Sequence, residues 1–365
     1  MTGHRIGNKL QQNDMLERIN DPRHRDFFQY IRLEEGVAVP EPDARHIDVA
    51  VLDMNHSWPN IGHDALVHDL LEVARKASKE LRTSGLTVRV VSFDVRRALQ
   101  VPEHPVRPFG MYVGTGGPGH LDPYLNDGIS LESQGIDEDP SWEQPLFRLF
   151  DDILADPDAT LLGVCHTFGL LCRWSGVARV ALRGSEKGGK SSGLPENVLS
   201  RSAVEHPWFS TFAGHLRDGR TFRVLDNRLF DLIPEKNAWH SAQPIAFERT
   251  PDGSAPGESV TMIEFARDSS GTTPRFFAVN HHPEIVDREH IVTVLEEKFA
   301  RGEVTRQWYE ERSNTLLSEM TGEGERQSRL TSEYTLIGLL EQTLRRLLER
   351  KSKTHQTAPL ASALS

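Results

Sequence analysis

Apolar residues in this chain fall into short runs bounded by polar residues, and these runs alternate with longer stretches of helical spacing. His46 to Asp53 is one such run, apolar through Val49-Ala50-Val51-Leu52 and polar at its end. This pattern suits a buried parallel strand that delivers a functional loop at its C-terminal end. Ala65 to Leu81 reads as a helix, and Leu86 to Phe93, β-branched and preceded by Gly85, as the next strand. Gly110 to Val113 predicts a short strand before a glycine-rich turn, Trp142 to Leu154 a helix, and Ala159 to Val164 another strand. Smaller apolar runs at Phe222 to Leu225, Pro244 to Phe247 and Met262 to Phe265 precede a return to the core at Phe276 to Val279. Strands alternating with helices predict a doubly wound α/β fold, a mainly parallel sheet with helices on both faces.

Both ends depart from this alternation. Residues 1 to 45 are polar and contain proline, and read as an N-terminal extension with one helix over Asp14 to Leu33. From Asp287 to about residue 355 the pattern is helical, with Leu336, Leu340, Leu344, Leu347 and Leu348 in one apolar stripe. That stripe would pack on the core, meet a partner helix or join two copies of the chain. Arg345, Arg346, Arg350 and Lys351 lie beside it, but Glu341 and Glu349 interrupt them, which disfavours a membrane or nucleic-acid surface. The last ten residues, 356 to 365, are small and polar and are expected to be disordered.

Composition narrows the class of protein. Hydrophobic residues make up 37% of the 365, enough for a folded interior, while charged residues at 26% and a mean hydropathy of -0.47 give a solvated surface. A net charge of -11 and a pI near 5.8 argue against a nucleic-acid or membrane-surface protein, which needs a positive footprint. No apolar stretch is long enough to span a bilayer and Met1 to Asp14 is not an export signal, so a cytoplasmic location is expected. The two cysteines, Cys165 and Cys172, are too few for a disulfide framework. Cys172, beside Leu170 and Leu171, reads as a packed apolar residue.

Cys165 lies in Gly163-Val164-Cys165-His166-Thr167-Phe168-Gly169, between a strand and a helix. Such a turn exposes a thiol at a helix N-terminus, whose positive partial charge favours the thiolate a nucleophile needs. Gly163 permits the tight geometry of a nucleophile elbow. Far downstream, Asn280-His281-His282-Pro283-Glu284 supplies an imidazole and a carboxylate. His282 would carry the thiol proton and Glu284 would orient its ring, with His281 the competing imidazole. Thr115-Gly116-Gly117-Pro118-Gly119 lets the backbone approach a substrate and point N–H groups at it, as half of an oxyanion hole. A buried structural cysteine and an ordinary glycine turn are the plain alternatives. His281 and Glu284 lack the further ligands of a metal site.

In this order the three motifs resemble the class I glutamine amidotransferase family. Its glycine loop is similar to Thr115 to Gly119, its Gly-x-Cys elbow to Gly163 to Cys165, and its His-Pro-Glu to His282 to Glu284. The opening strand and loop, Val51 to Ser57, are similar too, and the resemblance covers residues 46 to 286. It implies a flavodoxin-like core, a Cys165-His282-Glu284 triad, and an oxyanion hole from Gly117 and His166 with Gly116 beside them. It further implies hydrolysis of glutamine through a γ-glutamyl thioester, without metal or redox cofactor, and ammonia supplied to a synthase on another chain.

Two positions depart from the family. The residue two places after the cysteine is commonly glycine and the one four places after is commonly glutamine, which helps hold the substrate. Here they are Thr167, expected to crowd the elbow, and Gly169, with no side chain to bind anything. A cysteine hydrolase of another amide, or an idle scaffold kept for binding or regulation, therefore stands beside the glutaminase reading. Gly184 to Ser191 also matches the phosphate-loop pattern, but Ser192-Gly193-Leu194-Pro195 starts a helix poorly, so a lid beside the site is favoured.

Overall fold

The computed structural model describes residues 19, 21–33, 37–58, 60–104, 109–184, 187, 189–235, 242–250, 253 and 256–357. Among them the strands are β1 (Phe28–Arg32), β2 (His46–Asp53), β3 (Thr87–Asp94), β4 (Met111–Gly114), β5 (Thr160–Val164), β6 (Ala178–Leu182), β7 (Ser191–Gly193), β8 (Glu196–Leu199), β9 (Thr221–Arg223), β10 (Asp226–Arg228), β11 (Phe230–Pro234), β12 (Gln243–Arg249), β13 (Pro256–Arg267) and β14 (Pro274–Val279). The helices are α1 (Gly62–Lys76), α2 (Ser78–Ser84), α3 (Glu143–Ala155), α4 (His166–Ser175), α5 (Arg201–Val204), α6 (Phe209–His215), α7 (Arg288–Ala300), α8 (Arg306–Ser318), α9 (Glu323–Ser332) and α10 (Gly338–Thr357).

Ten strands form the central sheet in the order β1-β3-β2-β4-β5-β14-β13-β12-β8-β9. The six from β1 to β14 run parallel and the last four antiparallel. Within it β3-β2-β4-β5-β14 is the flavodoxin-like strand order, and the expected doubly wound α/β architecture is present. These strands are apolar throughout because both faces are covered. In β2, Ile47, Val49 and Val51 enter one core layer and Ala50 and Leu52 the other. Helix α1 and α10 cover the first face, with α3 and α4 on the second.

The N-terminal expectation is corrected at Phe28 to Arg32, which is a strand paired in parallel with β3 and not part of a helix. Phe28 and Tyr30 are buried while Gln29 between them is exposed, the period of two that a sheet edge selects. Most of Asp14 to Asn20, where the rest of that helix was expected, lies outside the described residues. The helix expected over Ala65 to Leu81 is divided at Ala77 into α1 and α2. At the other end, Leu336, Leu340, Leu344 and Leu347 are buried in the first core layer, with Leu348 packed against it. Four of the five leucines of the stripe are thus buried inside the chain. Each such leucine contributes about 1.5–3 kcal/mol. Helix α10 continues through Thr357, so the expected tail is helical at its start, and 358–365 lie outside the described residues. Among the described residues no helix is long and apolar enough to cross a membrane.

Strand register aligns the C-terminal ends that matter for chemistry. Gly114 pairs with Leu52 and with Gly163, and Val164 with Val279. Asp53, Thr115, Cys165 and Asn280 therefore leave the sheet at one edge, where doubly wound folds place their ligands.

Candidate active site

Cys165 stands between the fully buried β5 and α4 with φ 48° and ψ -97°, a conformation costly for a residue with a Cβ. Its N–H donates to Val279 O at 2.8 Å and its carbonyl accepts from Gly169 N at 3.1 Å, which pins the turn from both sides. Gly163 is needed there, since a Cβ would lie 3.0 Å from Thr167 Cγ2 and 3.1 Å from Ala278 Cβ. Cys172 is buried on the same helix, and burial pushes its thiol pKa far up.

From the end of β14 the chain runs through Asn280 and His281 to His282, whose N–H donates to Leu225 O at 2.8 Å. His282 Nδ1 lies 2.8 Å from Glu284 Oε1, and its ring lines the same cavity as Cys165. Burial alone would lower the His282 pKa, but the Glu284 carboxylate and Cys165 outweigh it and hold it well above the ordinary value. His281 points elsewhere, with Nε2 3.5 Å from Thr335 Oγ1, and burial, helped by His282 and Arg228, takes its pKa down to about 3. Of the two imidazoles, His282 is the one that lines a cavity with Cys165 and bonds Glu284. Glu284 is buried against the start of α1, and a Cβ on Gly62 would come 2.8 Å from its Oε1.

The glycine loop closes the other side. A Cβ on Gly116 would lie 2.9 Å from His282 Cε1 and 3.4 Å from Cys165 Cβ, while one on Gly117 would overlap Met54 O. His166 is buried and leaves Nε2 without a partner among the described residues. Burial and the nearby Arg96 keep its imidazole neutral, its pKa well below the ordinary value. Thr167 does not crowd the elbow as expected. Gly114 and Gly163, each without a Cβ, make room for it, and its Oγ1 donates to Thr115 O at 2.8 Å. It latches the glycine loop to α4. The space beside Gly169 is filled by Leu121, which a Cβ there would overlap.

A support missed from sequence lies behind the loop. Arg96 Nη1 donates to Met54 O at 2.9 Å and to Pro118 O at 2.7 Å, and its other nitrogens grip Glu138 at 2.5 and 2.8 Å. Both side chains are fully buried. Glu138 also accepts from Asn126 Nδ2 at 2.7 Å and Trp142 Nε1 at 3.1 Å. The available signal was position alone: Arg96 follows the C-terminal end of β3, on the edge where ligands bind.

These groups line a cavity of about 310 Å³ that contains Cys165, His166, Gly117 and His282. Helix α8 supplies much of its outer wall through Trp308, Glu311, Arg312, Thr315 and Leu316, so the C-terminal segment contributes to the site. Lys190, Ser192 and Gly193 line it too. The phosphate-loop reading of Gly184 to Ser191 fails here: Ser191 begins strand β7, its Oγ donates to Asp226 at 2.6 Å, and Lys190 bonds Glu311 at 2.8 Å. The cation and hydroxyl a phosphate would require are held by carboxylates, and no helix dipole follows. Among the described residues no cluster of three or more His, Cys, Asp or Glu side chains is arranged to hold a metal.

No protein-family model matches this chain, and no curated protein matches it. Among solved structures, a glutamine amidotransferase from Methylobacillus flagellatus aligns over 84% of this chain and 94% of its own at 13% identity, with a TM-score of 0.41. A protein assigned as part of a GMP synthase, from Thermoplasma acidophilum, aligns over 85% of this chain and 96% of its own at 13% identity, with a TM-score of 0.39.

Proposed function

We propose that the chain is a cysteine-dependent amide hydrolase of the class I glutamine amidotransferase type, acting on glutamine through a γ-glutamyl thioester. The observation that carries this reading is the Cys165 elbow at φ 48° with His282 in the same cavity and Glu284 2.8 Å behind His282. Cys165 Sγ attacks the carboxamide carbon, and backbone N–H groups of Gly117 and His166, beside Gly116, receive the developing oxyanion. His282 carries the thiol proton and gives it to the departing nitrogen, so ammonia leaves and the acyl group stays on sulfur. Water then attacks the thioester, His282 accepting its proton and returning it to the sulfur as glutamate departs. Glu284 holds the ring in one tautomer throughout. Ammonia would pass to a synthase on another chain.

Leu121 over Gly169 favours a second reading, a cysteine hydrolase or acyl-transfer enzyme for a different amide, because it places an apolar group where the family carries a polar one. Incubation with L-glutamine tests the first: glutamate release is expected and is expected to vanish in Cys165→Ala. No release above background, with Cys165 also resisting alkylation at neutral pH, would leave the idle-scaffold reading standing.

A further inference from the structure

With Gly169 bare and Leu121 beside it, the elbow helix offers no side chain to hold the polar end of a substrate. Lysine and arginine side chains line the cavity at Lys190, Arg228 and Arg312, and their partners distinguish them. Arg228 is held by carboxylates: Nη1 is on Asp226, Nη2 is 2.8 Å from Glu248 and Nε is 3.5 Å from Asp231. Lys190 is on Glu311. Arg312 lies with its guanidinium carbon 4.0 Å over the Trp308 ring, and its one hydrogen bond among the described residues is a 3.5 Å contact from Nη1 to Trp308 O. The nearest carboxylate oxygen among those residues is Glu311 Oε2, in a loose ion pair at 4.0 Å, while Glu311 Oε1 is bonded by Lys190.

A guanidinium has five N–H donors in a planar fork, and stacking on an aromatic face leaves its edge open. A partly desolvated cation with only a loose counter-ion is costly, and a carboxylate entering the cavity offsets that cost through paired, charge-assisted hydrogen bonds. Burial accordingly holds the Arg312 pKa below its ordinary value, with Glu311 only partly opposing it. Two further buried polar groups lining the cavity, His166 Nε2 and Asn280 Nδ2, also have no partner among the described residues.

Resting on the proposed amide hydrolysis, we infer that Arg312, stacked on Trp308, is the carboxylate-binding subsite, and that the substrate is a carboxamide whose acyl part carries a carboxylate. Glutamine is a small natural member of that class, and the cavity admits larger γ-glutamyl amides. Recognition is thereby supplied by α8, outside the core sheet, and not by the elbow.

The test uses the full chain with L-glutamine, γ-glutamyl-p-nitroanilide and the α-carboxamide counterpart of the latter. Arg312→Gln is expected to raise KM for the two carboxylate-bearing amides roughly ten- to hundredfold with kcat within about threefold. Arg312→Lys is expected to fall between, and the α-carboxamide compound to be a poor substrate that Arg312→Gln does not worsen. Calorimetric titration of Cys165→Ala with L-glutamine reads binding without turnover, and adding Arg312→Gln is expected to weaken it by a similar factor. An unchanged KM, a loss confined to kcat, or an equal loss on the α-carboxamide compound overturns the inference while leaving the hydrolase reading intact. Arg312-dependent binding without turnover overturns the hydrolase reading instead, and absence of both turnover and binding removes the two together.

Discussion

Replacing Arg96 by methionine is expected to separate the two things this side chain does. Arg96 and Glu138 are both fully buried, joined by two short bonds, so removing the cation leaves a carboxylate with only Asn126 and Trp142 as donors. Breaking one side of a buried pair costs about 3–5 kcal/mol, much of it the penalty of the orphaned charge. Adding Glu138→Gln removes that charge and keeps one acceptor oxygen, enough for either Trp142 or Asn126 since they bond different oxygens, and about half of the loss is expected to return. Activity is not expected to return with it. In both variants Met54 O and Pro118 O lose the Nη1 donor that fixes the glycine loop, and loop misplacement of about an ångström costs roughly a hundredfold in rate.

Denaturant unfolding gives the stabilities and glutamate release gives kcat for wild type, Arg96→Met, Glu138→Gln and the double variant. The coupling energy of the cycle is expected to be about 2 kcal/mol, stabilising the double variant relative to the sum of the single changes. Arg96→Met within about 1 kcal/mol of wild type would refute the buried-pair argument. A double variant that regained both stability and kcat would refute the loop-positioning argument.

Two titrations add independent checks. His282 is held protonated to well above its ordinary pKa by Glu284 and Cys165, so activity that needs the imidazolium persists below that folded value and falls as pH rises through it. Its stability contribution is likewise complete below the unfolded pKa and lost across the same rise. Glu284→Gln is expected to move the alkaline limb of kcat/KM to lower pH, and an unmoved limb would show that Glu284 does not set the His282 charge. Asp69 on α1 acts in the same direction, over a window that opens at a lower pH. Burial, with Glu284, Asp287 and Glu72 nearby, raises its pKa well above the ordinary carboxyl value, so the folded protein loses stability as pH rises above the unfolded pKa. The loss amounts to about 1.4 kcal/mol per pH unit until the folded pKa is reached. Asp69→Asn should flatten that slope in urea midpoints measured across pH 4 to 7, and an unchanged slope would count against an uncharged Asp69.

The strands from β2 to β5, and the return at β14, were legible because apolar runs without alternation have few alternatives to a buried parallel strand. Cys165 directly follows β5, and His282 and Glu284 follow β14 within five residues, so sequence order and register bring these candidates to the same end of the sheet. Phe28 to Arg32 was missed because a five-residue edge strand shows too little periodicity to outweigh a longer helical pattern around it. Arg96, Leu121 and Arg312 were missed for a different reason: each matters through a contact far away in sequence, to Glu138, to Gly169 and to the cavity, and a single chain carries no local mark of such pairings.

Thr167 and Gly169 show how position-by-position reading misjudges an active site. Each is a departure when taken alone, yet each is matched by a neighbour in space. Gly114 and Gly163 make room for the Thr167 side chain, which returns a 2.8 Å bond to the loop it would otherwise displace. Leu121 fills the volume beside Gly169, so no void is left to destabilise the elbow. A turn under no functional demand would be expected to relax, since a non-glycine residue held at φ 48° costs on the order of 1–3 kcal/mol. Here the strained backbone stays fixed by bonds to Val279 and Gly169, with the packing around it rebuilt. That combination supports the proposed nucleophile role of Cys165 over an idle scaffold.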